Sequence, residues 1–160
     1  GYCEGGGNRK GEGIMKRLQF SIDIQAPRAT VWRKMLEQES YRDWTSAFTE
    51  GSYYEGSWEQ GSTIRFLSPG GEGMVAEIAE SRPFEFVSIR HLGFIKGGID
   101  DTESPAARAW APAYENYTFV EKNGTTEVVV DLDTNAEFEK MFSDLWPKAL
   151  RRLKELCERD

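Results

Sequence analysis

The sequence predicts an α+β domain in which one strand, two short helices, six antiparallel strands and a long C-terminal helix follow one another. Residues 16–24 alternate between apolar and polar side chains, which indicates a strand with one buried face. Asn123-Gly124 separates two further alternating runs and marks an antiparallel hairpin, because both turn residues need a positive φ. Apolar residues from Phe138 to Leu156 recur at helical spacing and predict the long helix.

The bounds of each element follow from this periodicity and from the glycines and prolines that interrupt it. Pro27 fits the start of the first helix, and Thr134 with Glu137 forms a capping box before the last one. Pro147 falls inside that last helix, where its missing N–H predicts a bend. The predicted strands are 16–24, 52–58, 63–67, 73–80, 85–95, 114–121 and 125–132, and the short helices are 27–36 and 40–48.

Charge and composition exclude several classes of partner. The 160 residues carry a formal net charge of −7, with acidic and basic residues interspersed. No basic stripe is present to neutralise phosphates, so nucleic acid is not an expected partner. No run approaches the roughly 20 apolar residues that span a bilayer, and the expected compartment is the cytoplasm. Cys3 and Cys157 are too few for a disulfide framework and are interpreted as thiols.

The chain divides into a tail and one domain. Residues 1–14 (GYCEGGGNRKGEGI) are rich in glycine and lack periodicity, so they are interpreted as a flexible or artificially added tail. Residues 15–160 are interpreted as a single domain, because a chain of this length matches one core.

Six segments of this domain suggest a family. They are APRATVW, YRDWT, GSYYEGSWEQGSTIRF, GMVAEIAESRPFEFVSIRHLG, ENYTF and WPKAL. With the order of elements, they resemble the SRPBCC (START-like, birch-pollen-allergen-like) superfamily over Met15 to Glu158. Within it, the chain is similar to bacterial proteins related to the C-terminal domain of the heat-shock-90 ATPase activator and to the enediyne self-resistance protein. The resemblance implies the helix-grip fold, in which a curved, seven-stranded sheet wraps around the last helix.

The resemblance implies a lipid, polyketide or aromatic ligand between the sheet and the last helix. The alternative is a protein-interaction module of the heat-shock-90 ATPase activator type, which binds a chaperone or other protein through its outer surface. An internal pocket of roughly 300 Å³ or more favours the first reading, and a filled core with an exposed apolar patch favours the second. The candidate ligand-binding residues are Trp44, Tyr54, Trp58, Phe66, Ile89, His91, Glu115, Tyr117, Phe119, Phe138, Phe142 and Trp146.

His91 and Glu115 are candidate acid/base groups. His91 is the only histidine, and Glu115 is on the next predicted strand. If both side chains point inward, they form a carboxylate–imidazole pair that orients a ligand or serves a cyclase or isomerase. The simpler alternative is a hydrogen-bonded core histidine or an exposed edge residue. No Gly-x-Ser-x-Gly elbow is present, and catalysis is less expected than binding.

Neither a metal nor a cofactor is expected. One histidine and two distant cysteines match no usual zinc spacing, and the glycines precede no phosphate-binding motif. The segment from Lys96 to Pro112, with Asp100, Asp101 and Glu103, is a long loop that can serve as a lid or a weak cation site. Because it lacks the spacing of a calcium loop, it is interpreted as a solvated acidic loop.

Overall fold

The computed structural model describes residues 15–159. It contains one antiparallel sheet and four α-helices, with a 3-10 turn after the second helix. The strands are β1 Met15–Ile24, β2 Tyr53–Gly56, β3 Thr63–Leu67, β4 Gly73–Arg82, β5 Phe86–Lys96, β6 Ile99–Asp101, β7 Ala113–Lys122 and β8 Thr125–Asn135. The helices are α1 Arg28–Leu36, α2 Gln38–Trp44, α3 Pro105–Trp110 and α4 Ala136–Glu158.

The sheet has the strand order β1-β8-β7-β5-β4-β3-β2, and β6 pairs with β5. Strands β1 and β2 are consecutive in the chain but lie at opposite edges. The connecting helices α1 and α2 therefore cross one face of the sheet, where both pack against α4. This arrangement confirms the predicted helix-grip fold, with one strand more than the sequence predicted.

Local chemistry explains how the sheet turns and curves. Asn123 and Gly124 have φ angles of 56° and 82°, and they join β7 to β8 as the predicted hairpin. The pairing of β4 with β5 shifts register between Val75 and Ala76 and again between Ile78 and Glu80. Such bulges bend a strand and increase its twist, which helps the sheet to wrap around the helices.

The predicted loop from Lys96 to Pro112 is instead strand β6 followed by helix α3. Ser104 begins the helix by accepting a hydrogen bond from the Ala107 N–H, and Pro105 occupies its first turn. Asp100 pairs with Arg65 at 2.6 Å, and this guanidinium lowers the pKa of the carboxyl. The Asp101 carboxylate accepts hydrogen bonds from two backbone N–H groups. The segment is therefore not a loop, although Asp100 and Glu103 are exposed to solvent as predicted.

Three predicted boundaries were also wrong. Thr134 is buried within β8, and Asn135 caps α4 by accepting from the Phe138 N–H, so Thr134 and Glu137 do not form the predicted capping box. The second helix, predicted to reach residue 48, ends at Trp44 and continues only as the 3-10 turn. Strand β2 stops at Gly56, which leaves residues 57–58 outside the sheet. Helix α4 continues through Pro147 without interruption.

The core depends unequally on the two halves of α4. None of residues 136–145 is buried, whereas the half that follows contributes six buried side chains. Because α1 and α2 pack against α4, that half also joins the connecting helices to the sheet. The six are Trp146, Ala149, Leu150, Leu153, Leu156 and Cys157.

Candidate functional site

Strands β5 and β7 carry polar side chains on the face of the sheet where the helices pack. Side chains alternate along a strand, so Ile89 and His91 share one face of β5, and Glu115 and Tyr117 share one face of β7. Glu115 lies opposite Ile89 in the sheet register. His91 and Glu115 are thus diagonal neighbours on adjacent strands, and their predicted meeting is confirmed.

These side chains form a hydrogen-bonded cluster around one carboxylate. His91 Nε2 lies 3.0 Å from Glu115 Oε1. The Tyr117 hydroxyl donates to Glu115 Oε2. The His91 side chain is 5% exposed and that of Glu115 is 19% exposed. The carboxylate therefore reaches solvent while the imidazole is enclosed.

Burial keeps two phenols near the carboxylate protonated. It raises the pKa of Tyr117 well above its ordinary value, and the negative charge of Glu115 raises it further. The pKa of Tyr41 is raised by the same two causes, of which burial is the larger. Both hydroxyls therefore retain their protons over a wider pH range than an exposed tyrosine does. The site combines one negative charge with neutral hydrogen-bond donors.

Two buried nitrogens near the cluster have no hydrogen-bond partner within residues 15–159. They are His91 Nδ1 and Trp58 Nε1. Burial raises the pKa of Tyr54 and the nearby Trp58 indole lowers it, although the two groups are not in hydrogen-bonding geometry. Buried polar atoms in native proteins nearly always have a partner, so each exception points to a group outside the described residues 15–159. A third such atom, Asn116 Oδ1, belongs to the opposite face of β7.

A chain of aromatic rings passes through His91. Trp110 follows His91 in this chain and stacks in turn on Phe94 at 4.8 Å. Trp110 was missed because α3 was interpreted as loop, although Ser104-Pro105 before an alanine-rich run is a helix start signal. Tyr41 was also missed, although it lies three residues before Trp44 on a predicted helix. The successive centroid distances are 5.0 Å for Tyr41–Tyr54, 5.4 Å for Tyr54–Trp58, 5.7 Å for Trp58–Phe66, 5.6 Å for Phe66–His91 and 5.4 Å for His91–Trp110.

A second aromatic group fills the space beneath the middle of α4. The Trp146 ring contacts Phe48 at 4.9 Å, Trp44 at 5.8 Å and Tyr117 at 6.2 Å. Trp44 and Trp146 are both almost fully buried. This part of the predicted ligand wall is packed core.

Five other predicted site residues are not part of the polar cluster. Trp44 Nε1 donates to the Met35 carbonyl at 3.0 Å, and the Tyr54 hydroxyl donates to a backbone carbonyl of α1, so these buried groups do not line a pocket mouth. Phe119 is buried and packs against Trp32 at 5.3 Å. Phe138 is 43% exposed, which places it on the surface of α4. Phe142 is half-buried against the main core.

An open pocket of about 440 Å³ lies on the other face of the sheet. The alternation along β5 turns its lining residue Arg90 away from His91, whereas Leu92 lies at the bulge opposite Val75 and Ala76. This pocket is therefore separate from the predicted space between the sheet and α4. Its other lining residues are Thr102, Arg108, Ala111 and Pro112.

Two further observations concern membranes and metals. No helix within residues 15–159 is long and apolar enough to cross a bilayer. Over the same residues, no three histidine, cysteine, aspartate or glutamate side chains are grouped so that they could hold a metal ion. Cys157 is buried and forms no disulfide within residues 15–159, whereas Cys3 and the predicted tail of residues 1–14 lie outside the described residues.

A curved antiparallel sheet, a long C-terminal helix and an aromatic inner face define a helix-grip protein of the START-like class. Residues 25–158 match the family described as Activator of Hsp90 ATPase homolog 1-like protein, and the chain belongs to this family. The resemblance inferred from the sequence is thereby confirmed. A search of curated proteins found no matching sequence.

Solved structures support the same fold. Protein MLL2253 from Mesorhizobium loti has a TM-score of 0.68 at 13% identity, over 90% of this chain and 98% of its own. The Aha1 dimer from Colwellia psychrerythraea, solved in solution, has a TM-score of 0.66 at 19% identity, over 89% of this chain and 96% of its own. CalU16 from Micromonospora echinospora has a TM-score of 0.60 at 14% identity, over 89% and 74%. At these identities the likeness concerns the fold alone.

Proposed function

We propose that this protein binds a small, mainly apolar molecule on the inner face of the sheet and holds one polar group of that molecule beside His91 and Glu115. The observation that carries this proposal is the unpartnered Nδ1 atom of His91, buried between aromatic rings. A bound polar group at this position removes the cost of an unsatisfied buried atom, which is about 1–3 kcal/mol. The sequence-based prediction of an apolar ligand is compatible with this arrangement.

The first half of α4 supports the same proposal. Phe142 and Leu145 are only half-buried, and Phe138 and Met141 are more than 40% exposed. This half of the helix starts where β8 ends, four residues after Leu132, which lies opposite Glu115. Incompletely covered apolar side chains and the polar cluster therefore lie toward the same end of the sheet. An apolar ligand with one polar group suits such a combination.

The test is an NMR titration of the 160-residue chain with fatty acids, flavonoids and polyaromatic hydrocarbons. We expect chemical-shift changes at the Trp58 indole, His91, Tyr117 and Phe142, because these groups surround the proposed site. Signals of the exposed residue Ile99, which is on β6, serve as an internal control and remain unchanged.

A matched pair of variants sharpens the titration. Trp58→Phe retains an aromatic ring but removes the unpartnered N–H, and we expect it to weaken binding by about fivefold to tenfold. Trp32→Phe, at a half-buried ring that packs on Phe119, leaves the affinity unchanged. If no ligand in the panel moves the inner-face signals, the proposal is wrong.

A protein-interaction module is the second candidate. Phe138 and Met141 are exposed three residues apart on α4, so they form one apolar strip on its surface. The family description names an activator of the heat-shock-90 ATPase. Titration with a bacterial heat-shock-90 chaperone tests this reading. Binding that shifts Phe138 and Met141 but not His91 supports the module, and Phe138→Ser with Met141→Ser abolishes such binding.

Acid/base catalysis is the third candidate, favoured by the 3.0 Å separation of His91 Nε2 and Glu115 Oε1. A pair at this distance can orient the imidazole for proton transfer at Nδ1. A cyclase or isomerase of this type requires a ligand whose reacting atom lies beside Nδ1. Product formation that Glu115→Gln slows without weakening ligand binding supports this candidate, whereas a ligand that is recovered unchanged contradicts it.

A further inference from the structure

The hydrogen bonds of Glu115 determine which proton His91 carries. Glu115 accepts from the Tyr117 hydroxyl through Oε2 and faces His91 Nε2 through Oε1. A carboxylate only accepts hydrogen bonds, so Nε2 carries the hydrogen atom. In the neutral ring the other nitrogen then has a free lone pair. While the imidazole is neutral, His91 Nδ1 is therefore an acceptor that lacks a donor within residues 15–159.

The surroundings of Nδ1 restrict what can supply that donor. The imidazole lies against Phe66 at 5.6 Å and Trp110 at 5.4 Å, and neither ring makes a hydrogen bond to it. Trp110 also stacks on Phe94 at 4.8 Å, so the position beside Nδ1 is surrounded by aromatic rings and suits an aromatic group. A ligand that satisfies this site combines an O–H donor with an aromatic body.

The charge of the cluster restricts the ligand further. Within residues 15–159, the only basic side chain that pairs with Glu115 is His91, and no lysine or arginine joins them. A carboxylate ligand would place a second negative charge beside Glu115 in a mostly buried site. Like charges close together in such surroundings repel strongly. A fatty acid or aromatic acid is thus poorly suited to this position.

We infer that the ligand is a neutral hydroxylated aromatic compound whose hydroxyl donates to His91 Nδ1, with Glu115 as the positioning residue behind the imidazole. This inference rests on the proposed function, because it names the chemical class of the same ligand. It selects phenols from among the lipids, polyketides and aromatics that the fold admits.

Three matched ligands test the inference on the full chain, at a pH at which imidazole nitrogen NMR shows His91 to be neutral. They are a naphthol, its methyl ether and the corresponding naphthoate. We expect the naphthol to bind about tenfold more tightly than the ether, because the ether has no donor. The naphthoate is expected to bind about 100-fold more weakly than the naphthol, because of the repulsion from Glu115.

Imidazole nitrogen NMR gives a readout that needs no variant. His91 is the only histidine, so its two nitrogen signals need no further assignment to a residue. We expect the free protein to show a protonated Nε2 and an Nδ1 with a free lone pair. Naphthol then shifts the Nδ1 signal in the direction of hydrogen bonding, and the ether does not.

Two variants test the role of His91. His91→Phe keeps a ring but removes the acceptor. We expect this variant to bind naphthol and the ether with about equal affinity. His91→Gln offers an amide donor to Glu115 and an amide oxygen to the ligand, and it keeps part of the preference.

The outcomes separate this inference from the proposed function. If none of the three compounds binds, the proposal that the protein binds a small aromatic molecule at this site is wrong. If all three bind with equal affinity, the ligand site stands and the hydroxyl inference is overturned. An Nδ1 signal that is already hydrogen-bonded in the free protein also overturns it, because a water molecule then occupies the position.

Discussion

The two halves of α4 have similar sequence patterns but different surroundings. Residues 146–157 contribute all the buried side chains of the helix. An ion pair at the surface also connects them to α2, since Arg152 pairs with Asp43 at 2.8 Å. Residues 136–145 bury no side chain, and Lys16 with Glu139 connects them to β1 at 3.4 Å. The second half of this amphipathic helix thus packs in the core, whereas the apolar side chains of the first half are incompletely covered. The difference shows that the pattern of a helix does not reveal how completely its partners cover it.

The largest expected difference between the two halves is in the free energy of unfolding, and a matched pair of alanine substitutions tests it. Trp146→Ala removes a buried ring that packs against Trp44 and Phe48, and we expect it to lower the free energy of unfolding by about 3–5 kcal/mol. Phe138→Ala removes a ring that is 43% exposed, and we expect a change of about 0.5 kcal/mol or less. Urea unfolding of both variants measures the two values. Equal losses would mean that the two halves contribute alike to the core.

A smaller effect is expected at alkaline pH, where Tyr117 lies between the packed half of α4 and the Glu115 cluster. The pKa values of Tyr117 and Tyr41 are raised in the folded state, chiefly by burial. Each phenol therefore stabilises the fold fully below the unfolded-state pKa of about 10, and that contribution is lost as the pH rises above it. The free energy of unfolding should fall by up to about 1.4 kcal/mol per pH unit for each phenol.

Urea unfolding between about pH 8 and pH 11 measures this slope. Tyr41→Phe and Tyr117→Phe each reduce it, because phenylalanine does not ionise. Trp32→Phe, which removes no ionisable group from a half-buried position, is the control and leaves the slope unchanged. A wild-type stability that does not decline above about pH 10 would contradict the burial of these hydroxyls.

The smallest expected effect concerns the ion pairs of the two halves. Double-mutant cycles on Arg152 with Asp43 should give a coupling of about 0.5 kcal/mol, because this pair also hydrogen-bonds through two guanidinium nitrogens. Lys16 with Glu139 should give about 0.2 kcal/mol or less, since its single 3.4 Å contact is longer and both side chains are about 40% exposed. Unfolding at low and high salt checks both values. A stronger coupling for Lys16 with Glu139 would reverse the comparison.

Much of the fold followed from local signals in the sequence. Alternation, the Asn123-Gly124 turn and the helical spacing after Phe138 identified seven strands and the long helix. The short strand β6 contains only three residues, too few to display an alternating pattern, and α3 is only six residues long. These elements depend on pairing with β5 and on the Ser104 cap, so the periodicity of the sequence did not reveal them.

The candidate site was predictable only in part. The pairing of His91 with Glu115 followed from two inward positions on neighbouring strands. The unpartnered state of His91 Nδ1 did not, because it depends on which rings the tertiary fold places around the imidazole. Trp58 was assigned to a strand by alternation, yet it lies beyond the end of β2 at Gly56. Burial of the last half of α4 likewise depends on its packing against α1 and α2. The apolar spacing within α4 does not predict that packing.

The position of β1 has a consequence for how the chain folds during synthesis. Met15 pairs with Asn135 and Ile24 pairs with Thr126, so the first strand finds its partner only after almost the whole domain has been made. Contacts between such distant segments slow folding, since a long loop must close before they form. Until then β1 has an unpaired edge that can associate with other nascent chains. A ribosome-associated factor that shields residues 15–24 would therefore raise the yield of native protein more than one that acts on any later strand.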